Sequence, residues 1–321
     1  MESATLDDTD RKIIHALQID GRAPFRTVAD AVGVSEQTVA RRYRRMRDAG
    51  ALRVVGAVIG PRLGYVSWTI RLRCTPDAAV EIGAALARRD DTFWVHLLSG
   101  GTEISCNTQT RSDADRDSLL LEKLPRTRRV LGVTAHAVLR GYVWPNNWGA
   151  LRRLAAPRAA RLRPETDPVP PDAAPVPLAD GDRTLLDALA RDGRATHDDL
   201  AAATGWSPST VRRRLRDLRR TGVLTYQLDV SSAAVGRPVV ARLWMSVRPS
   251  AVDSVGAALA GHDEVSFAAS TTGTTNLLAV VHCRGPADLH RYLGERVAVL
   301  DGVRAVETAP VLRTLKGAGT R

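Results

Sequence analysis

The feature that most constrains how this chain folds is an internal repeat. Residues 6–52 align with residues 178–224 at a constant offset of 172, with 22 identities in 47 positions and no gap. Asp-Gly-Arg-Ala stands at 20–23 and again at 192–195, and the weaker similarity beyond includes Gly-Ala-Ala-Leu-Ala at 83–87 and 256–260. Such self-similarity indicates two copies of one module, each with the same two parts.

The segment between the copies differs in composition from both. Residues 157–177 contain seven prolines in 21 positions, which predicts a semi-rigid, extended connector rather than part of a core. With 321 residues the chain is long enough for several domains. The expected domains are 1–60 and 61–156 in the first copy, the connector 157–177, and 178–232 and 233–321 in the second.

The positive charge of the chain is concentrated in two short stretches. The formal net charge is +11, from 46 basic and 35 acidic residues, and all but three of the basic residues are arginine. Residues 35–49 carry a net charge of +3 and residues 207–221 carry +5. Because the two stretches are equivalent in the repeat and hold most of the excess, they indicate a polyanionic partner.

The first part of each module has the pattern of a helix-turn-helix. Asp7 is placed to cap a first helix that ends at Gly21, and Gly33 precedes Ser35, the expected cap of a third helix. The second copy repeats the turn as Gly-Trp-Ser at 205–207. The β-prone residues after each third helix are expected to form a wing.

An arginine-rich helix that follows a glycine turn has the shape and charge to enter the major groove of double-stranded DNA. The residues expected to reach base edges are Gln37, Thr38, Arg41, Ser209, Thr210 and Arg213. The residues expected at phosphates are Arg42, Arg44, Arg45, Arg214 and Arg216, and the predicted DNA-binding set is completed by Ser35, Ser207 and Arg212. The alternative is that these arginines lie on a helix face that only contacts solvent. The presence of the same pattern in two equivalent copies favours DNA binding over this alternative.

The second part of each module changes to a strand-like period. Strands are predicted at 65–74, 92–99, 102–110 and 130–143, with helices at 76–88 and 113–124. In the second copy the strands are predicted at 238–248, 264–271, 275–284 and 303–314, with helices at 250–260 and 286–298. This β-α-β-β-α-β order predicts a ferredoxin-like domain, whose bare sheet face needs a second sheet as cover. We expect the two sheets of one chain to pair, and the paired chain to form a two-fold dimer.

The chain resembles a tandem duplication of the Lrp/AsnC family of transcriptional regulators. The resemblance rests on Leu-Asp-x-x-Asp, Asp-Gly-Arg, Gly-x-Ser and Arg-Arg within the first part of each copy. It implies an α+β fold with two winged-type helix-turn-helix domains and two ferredoxin-like effector domains. It also implies DNA as partner, a small-molecule effector such as an amino acid, and self-association through the effector domains. Family members usually carry one module per chain, so their oligomeric state does not transfer directly.

The same resemblance places an effector site at a Gly-x-x-Asp turn between the second and third strands. The matching residues are Gly100, Gly101, Thr102 and Glu103 in the first copy and Gly273, Thr274, Thr275 and Asn276 in the second. Backbone amides of such a turn can receive a carboxylate, and a nearby acid can meet an ammonium group. Asn276 has no charge, so the two turns are expected to be unequal; an ordinary hairpin turn is the alternative.

Two other functions are compatible with the pattern. Siroheme decarboxylases share this two-part fold, and His96, His136, His282 and His290 lie on the elements where such an enzyme would need them. The other possibility is a nucleoid-compacting protein. It differs from a regulator in the ratio of its affinity for specific DNA sites to its affinity for other DNA. No catalytic motif, metal site or cofactor site is expected from the sequence.

Several classes of protein are excluded at this stage. There is no run of 18 apolar residues, and no apolar segment follows the acidic first ten residues as in a signal peptide. Cys74, Cys106 and Cys283 are widely spaced and odd in number, which argues against a disulfide framework and for a cytoplasmic protein with buried thiols.

Overall fold

The computed structural model of the protein describes residues 6–164, 170 and 173–318. These residues form two units, and each unit takes one segment from each copy of the repeat. The helical unit comprises residues 6–66 and 153–230, and the barrel unit comprises residues 67–152 and 231–317.

The helices are α1 (Asp8–Ile19), α2 (Phe25–Val32), α3 (Glu36–Asp48), α4 (Ala79–Ala87), α5 (Asp113–Asp117), α6 (Ala156–Ala160), α7 (Asp182–Arg191), α8 (His197–Thr204), α9 (Pro208–Arg220), α10 (Val252–Ala260) and α11 (Pro286–Arg291). The strands are β1 (Leu52–Val58), β2 (Val66–Cys74), β3 (Thr92–Leu98), β4 (Glu103–Thr110), β5 (Val130–Val143), β6 (Leu224–Val230), β7 (Val239–Val247), β8 (Val265–Thr271), β9 (Leu277–Cys283) and β10 (Val303–Lys316). The predicted α+β fold class is confirmed.

In the helical unit, the local signals in the sequence produce the expected helix ends. The Asp7 carboxylate accepts a hydrogen bond from the Asp10 backbone N–H at 2.8 Å, and the Asp10 carboxylate accepts one from the Asp7 N–H. Gly33 ends α2 with a left-handed φ of 87°, and the Ser35 hydroxyl caps α3. The predicted helix-turn-helix is therefore formed in the first copy, and α7, α8 and α9 repeat it in the second.

The strand after each third helix differs from the expected wing. β1 pairs antiparallel with β6 along its whole length, from Leu52 opposite Val230 to Val58 opposite Leu224. The two strands form a two-stranded sheet that joins the two copies. The ribbon replaces a separate wing in each copy, and it buries Leu52, Val54 and Val55 of β1 and Leu224, Tyr226 and Leu228 of β6. A strand pair needs such packing against other elements to be stable.

The proline-rich segment also departs from the prediction of an extended connector. α6 lies at its start, and Leu162 is buried. Further along, the Val176 N–H donates to the Arg62 carbonyl, and the Arg62 guanidinium donates to the Ala173 carbonyl at 2.7 Å. Part of the predicted connector, residues 165–169 and 171–172, lies outside the described residues.

The barrel unit is a closed barrel with the strand order β10-β3-β4-β2-β5-β8-β9-β7. Each copy contributes four consecutive strands in the ferredoxin-like order, β3-β4-β2-β5 and β8-β9-β7-β10. The fourth strand of each copy pairs with the second strand of the other, as β5 with β8 and β10 with β3. The two sheets thus cover each other within one chain, as predicted.

Helices cover the outer face of each half of the barrel, and their cores are separate. Ile70, Val95 and Ile104 belong to the outer core of the first copy, and Leu243 and Ala279 to that of the second. The predicted helices at 113–124 and 286–298 both change pitch midway, because Ser118–Lys123 and Tyr292–Val297 are π-helical. Alternate strand residues point to the inner face, where a smaller apolar cluster lies.

Candidate functional site

The predicted recognition helices, α3 and α9, present exposed arginines at equivalent positions. Arg41 and Arg213 are exposed on the first half of each helix, and no ion pair holds either of them among the described residues. The other exposed members of the predicted set are Ser35, Gln37, Arg44, Arg45, Ser207, Ser209, Arg212 and Arg216. These side chains are exposed, and of them Arg45, Ser35 and Ser207 also make contacts within the protein.

The two serines before these helices act as caps. The Ser35 hydroxyl accepts from the Thr38 N–H at 3.1 Å, and the Ser207 hydroxyl accepts from the Thr210 N–H at 3.2 Å. Hydroxyl contacts also join Ser35 to Thr38 and Ser207 to Thr210. Both serines therefore hold the helix N-termini in place, whatever further contacts they make.

Three arginines predicted at phosphates instead hold the helices to their neighbours. Arg42 and Arg45 donate to Asp10, whose side chain is 1% exposed, at 3.0 and 2.5 Å. In the second copy, Arg214 donates through two nitrogens to the fully buried carboxylate of Asp182. Arg42 and Arg214 are thus ion-pair partners of α1 and α7, which the charge count alone could not distinguish from surface arginines.

A contact that the sequence argument missed links the two helix-turn-helix domains. Arg22 donates to the carbonyls of Gly193 and Ala195 at 2.7 and 2.8 Å. Arg194 donates in return to the carbonyls of Gly21 and Ala23 at 2.6 and 3.1 Å. We call this pair of reciprocal contacts the arginine clamp.

The clamp is tightly packed as well as hydrogen-bonded. The Arg194 guanidinium lies 4.2 Å from the centroid of the Phe25 ring and 5.4 Å from that of Tyr43, and burial lowers the pKa of Arg194. A Cβ at Gly193 would stand 2.8 Å from the Val55 backbone. The sequence did contain a signal for the arginine clamp. Both copies repeat the Asp-Gly-Arg motif, which places a small residue and an arginine together at a turn.

The two predicted effector turns differ. Gly100 and Gly101 have φ of 74° and 84°, and a Cβ built on either meets no atom within 4 Å. Ser99 just before them also has a positive φ, of 51°. At the equivalent turn of the second copy, a Cβ on Gly273 would stand 2.1 Å from the His136 ring. The first turn is open, and the second is closed by a side chain of the other copy.

The polar side chains predicted at these turns already have partners. Arg71 donates to both carboxylate oxygens of Glu103 at 2.9 Å and also binds Glu307. This contact lowers the pKa of Glu307. The Asn276 amide accepts from the Val247 N–H and donates to the Val247 carbonyl, both at 2.9 Å. Glu103 and Asn276 therefore make their polar contacts within the protein.

The remaining turn residues make local contacts. The Thr102 hydroxyl donates to the Ser99 carbonyl at 3.0 Å, and the Thr275 carbonyl accepts from the Thr271 hydroxyl at 3.0 Å. Thr274 is exposed.

The four histidines of the enzyme hypothesis lie in different surroundings. His96 is buried on β3 and contacts the Thr314 hydroxyl at 3.0 Å. His282 is buried between the hydroxyls of Ser232 and Ser266, each 2.7 Å away. His136 packs on the Gly273 turn, and His290 lies on α11.

Among the residues that the structure describes, no group of three or more His, Cys, Asp or Glu side chains is arranged to hold a metal ion. In the same part of the chain, every helix is too short or too polar to cross a membrane.

Comparison with known proteins decides the family. The model of the AsnC-type helix-turn-helix domain matches residues 6–47 and 179–219, and that of the Lrp/AsnC ligand binding domain matches residues 240–320. The regulatory protein AsnC of Escherichia coli (strain K12) is 32% identical over 143 residues, covering 42% of this chain and 93% of AsnC. The chain belongs to the Lrp/AsnC family. The HTH-type transcriptional regulator FL11 of Pyrococcus abyssi is 28% identical to this Lrp/AsnC protein over 118 residues, covering 36% of this chain and 78% of FL11.

A solved structure shows that the tandem arrangement exists elsewhere. The crystal structure of the siroheme decarboxylase NirDL superposes with a TM-score of 0.64, covering 97% of this chain and 93% of NirDL. The two sequences are 16% identical, so the likeness concerns the fold alone. Both copies of this Lrp/AsnC protein are included in the match.

Proposed function

We propose that the protein is a DNA-binding transcriptional regulator that reads DNA with two recognition helices in one chain. The observation that carries the proposal is the equivalent exposure of Arg41 on α3 and Arg213 on α9, each inside a helix-turn-helix of the AsnC type. Exposed arginines on the leading half of such a helix suit guanine edges and phosphates of the major groove. The relatives named as regulators support the same function.

The helical unit supports binding by both helices at once. The β1–β6 ribbon and the arginine clamp join the two helix-turn-helix domains within one chain. We call each helix-turn-helix domain with its recognition helix a reading head. In a protein with one module per chain, a second chain must supply the second reading head. Here folding brings both reading heads together in one chain. Their simultaneous binding to DNA therefore does not require the free energy of association between two chains.

The experiment that tests DNA binding is a double substitution, Arg41→Ala with Arg213→Ala. DNA sites are first selected from random sequence with the wild-type chain, and affinities are then measured at several salt concentrations. We expect a loss of affinity and of sequence preference, about 1–3 kcal/mol for each lost base contact.

The matched control removes two charges elsewhere. Arg88→Ala with Arg313→Ala changes two exposed arginines of the barrel unit, and its binding should match the wild type after the same salt correction. Normal binding by the Arg41/Arg213 variant would show that these helices do not read DNA.

We further propose that an amino acid or related small molecule acts as effector at the turn formed by Ser99, Gly100 and Gly101. The open space beside both glycines and the positive φ of Ser99 support it, since strained turns are frequent at binding sites. The second turn is not proposed as an effector site, because His136 fills it. Because Glu103 is paired with Arg71, the effector is held by backbone groups of the turn rather than by a free carboxylate.

A thermal-shift series with the twenty common amino acids tests the effector. Gly100→Asn is the matched variant, because Asn tolerates a left-handed φ and its Cβ has open space here. We expect one or more amino acids to raise the Tm of the wild type and not of the variant. No shift with any of them would remove the effector from the proposal and leave DNA binding unaffected.

The fold match with a siroheme decarboxylase gives a second candidate function. At 16% identity the match shows a shared fold and does not assign the decarboxylase activity to this protein. The regulator is favoured because both recognition helices keep exposed arginines, for which a decarboxylase has no use. Titration with siroheme, followed by visible absorbance, separates the two. A saturable band shift with turnover would favour the enzyme.

A further inference from the structure

Unpartnered polar atoms in the barrel unit are concentrated on its inner face. Ile104 and Cys106 of β4 point to the outer core, so Ser105 and Asn107 between and beside them point inward. The same alternation places Arg71 and Arg242 on the inner face. Buried atoms with no hydrogen-bond partner there are Arg71 Nε, Ser105 Oγ, Asn107 Oδ1, Arg242 Nε and Arg242 Nη2.

Arg242 is the centre of this group. Its side chain lies on β7, is 1% exposed, and has two guanidinium nitrogens without a partner. Its guanidinium carbon lies 5.9 Å from the centroid of the Trp244 ring, and no ion pair holds it among the described residues. Buried charges are ordinarily paired, because removing a charge from water is costly.

The fold itself does not require an arginine at this position. The repeat offset of 173 in the barrel unit makes Thr69 of β2 the equivalent residue in the first copy. Thr69 is also buried, and its half of the barrel forms the same strand order with a threonine at this position. The strand order therefore does not depend on a guanidinium at position 242.

The charge of Arg242 persists in this environment. Burial lowers the pKa of Arg242 to about 10, which leaves the guanidinium protonated at neutral pH. The same positive charge, together with burial, lowers the pKa of His96, which lies opposite Ser105 on the neighbouring strand. A buried cation and a neutral imidazole face the interior, and within the described part of the chain no carboxylate is bound to either.

We propose that the inner face of the barrel binds a compact monocarboxylate through Arg242. A planar guanidinium offers two parallel N–H donors to a carboxylate, and the unpartnered Ser105 hydroxyl is a further donor on the inner face. The apolar cluster of Leu98, Trp244, Leu278 and Ala309 lies on the same face. This cluster favours a carboxylate with a small apolar end over phosphate or sulfate, which need polar partners on every side.

This site is separate from the proposed effector turn. The turn offers backbone groups at an exposed loop, whereas Arg242 is buried on a central strand. The proposal does not rest on DNA binding, and the two sites respond to different variants.

Acetate and propionate are the probes. The Tm of the full chain is measured in each sodium salt against sodium chloride at equal ionic strength. One series adds the salt to native protein, and a second refolds the chain from urea with the salt present, which gives the anion access to the interior. We expect a Tm rise of about 3–6 °C at ten times the dissociation constant, with a change in Trp fluorescence that Trp244→Phe removes.

Substitutions then assign the effect to Arg242. Arg242→Met and Arg242→Thr, the latter giving the residue of the first copy, should lose the response to both salts. Arg242→Met should also raise the Tm without acetate, because an apolar side chain avoids the uncompensated charge. Arg313→Met, an exposed arginine of the same unit, and Gly100→Asn, at the effector turn, should keep the response.

Two results would overturn the proposal. One is a wild-type Tm that neither salt raises in either series. The other is an equal rise in the wild type and in whichever Arg242 variant folds, which would place the anion elsewhere. If neither variant folds, the fluorescence change in the wild type and its loss in Trp244→Phe decide the location.

Discussion

Neighbouring arginines on one helix have different roles. The role of each depends on whether it has a buried acidic partner. Arg41 projects from α3 and has no ion pair within the described ranges, whereas Arg42 at the next position binds Asp7 and the buried Asp10. The hydrogen bonds to these carboxylates raise the pKa of Arg42. Removing such an arginine takes an ion-pair partner from a buried carboxylate, so it affects stability as well as any DNA binding.

The two copies should therefore respond unequally to loss of this arginine. In the first copy Asp10 keeps Arg45 when Arg42 is removed, but in the second Asp182 has Arg214 as its one ion-pair partner among the described residues. We expect Arg214→Ala to lower the free energy of unfolding by about 3–5 kcal/mol and Arg42→Ala by clearly less. Urea unfolding measures both, with Arg213→Ala as control within about 0.5 kcal/mol of wild type. Equal losses for the two variants would contradict this assignment.

Two buried histidines make the stability of the barrel unit depend on pH. Burial, with the charge of Arg237, lowers the pKa of His282 to about 3, and burial next to Arg242 places that of His96 well below its usual value. The unfolded chain binds protons near pH 6.5 and the folded chain does not, so stability is full above pH 6.5 and falls as the pH decreases below it.

Below pH 6.5 the expected slope for His282 approaches about 1.4 kcal/mol per pH unit, and His96 adds to it in the same direction. Urea unfolding at several pH values measures it, and the variant with His96→Gln and His282→Gln should show a shallower slope over that range. Because carboxylates elsewhere also titrate there, the difference between the two chains is the quantity that tests the prediction. Identical slopes would mean that these histidines are protonated in the folded state.

At the scale of elements, the arginine clamp and the β1–β6 ribbon fix the spacing of the two reading heads. Arg194→Ala removes hydrogen bonds to two carbonyls and a stacking contact with Phe25. We expect this variant to bind a single half-site like the wild type but to lose affinity for the full site, about tenfold for each 1.4 kcal/mol of lost coupling. Gel-shift titrations with half and full sites measure the ratio, and Arg191→Ala, an exposed arginine of α7, is the control. A full-site affinity unchanged by Arg194→Ala would show that the ribbon alone sets the spacing.

The elements also show what could be predicted from the sequence. Caps and periodicity are local, so α1, α3 and α9 begin where Asp7, Ser35 and Ser207 predicted them. The partner of β1 is not local, because the apolar residues of this seven-residue strand can pack equally well in a wing or in a ribbon with β6. The roles of Glu103 and Arg42 were missed for the same reason, since each is set by a partner distant in the sequence.

At the scale of the whole molecule, the duplication replaces an association between chains by folding within one. Closing the barrel pairs β5 with β8 and β10 with β3, so each edge of the two ferredoxin-like sheets is paired inside the chain. The expectation of a two-fold dimer rested on exposed edges and faces, and that argument no longer holds for the strands. Self-association thus stays a prediction, which the mass of the chain in light scattering at micromolar concentration would decide.

Duplication also frees the two heads to diverge, and the last prediction follows from their differences. α3 begins with Glu36 and Gln37, whereas α9 begins with Pro208 and Ser209, and Arg212 stands where the first copy has Ala40. A carboxylate accepts from cytosine and repels phosphate, so the first head should be the more selective, and the more basic second head the more salt-sensitive. Selection from random DNA should therefore yield two unlike motifs at a fixed spacing. Arg41→Ala should relax one motif and Arg213→Ala the other; a single palindrome contacted equally by both heads would contradict the divergence.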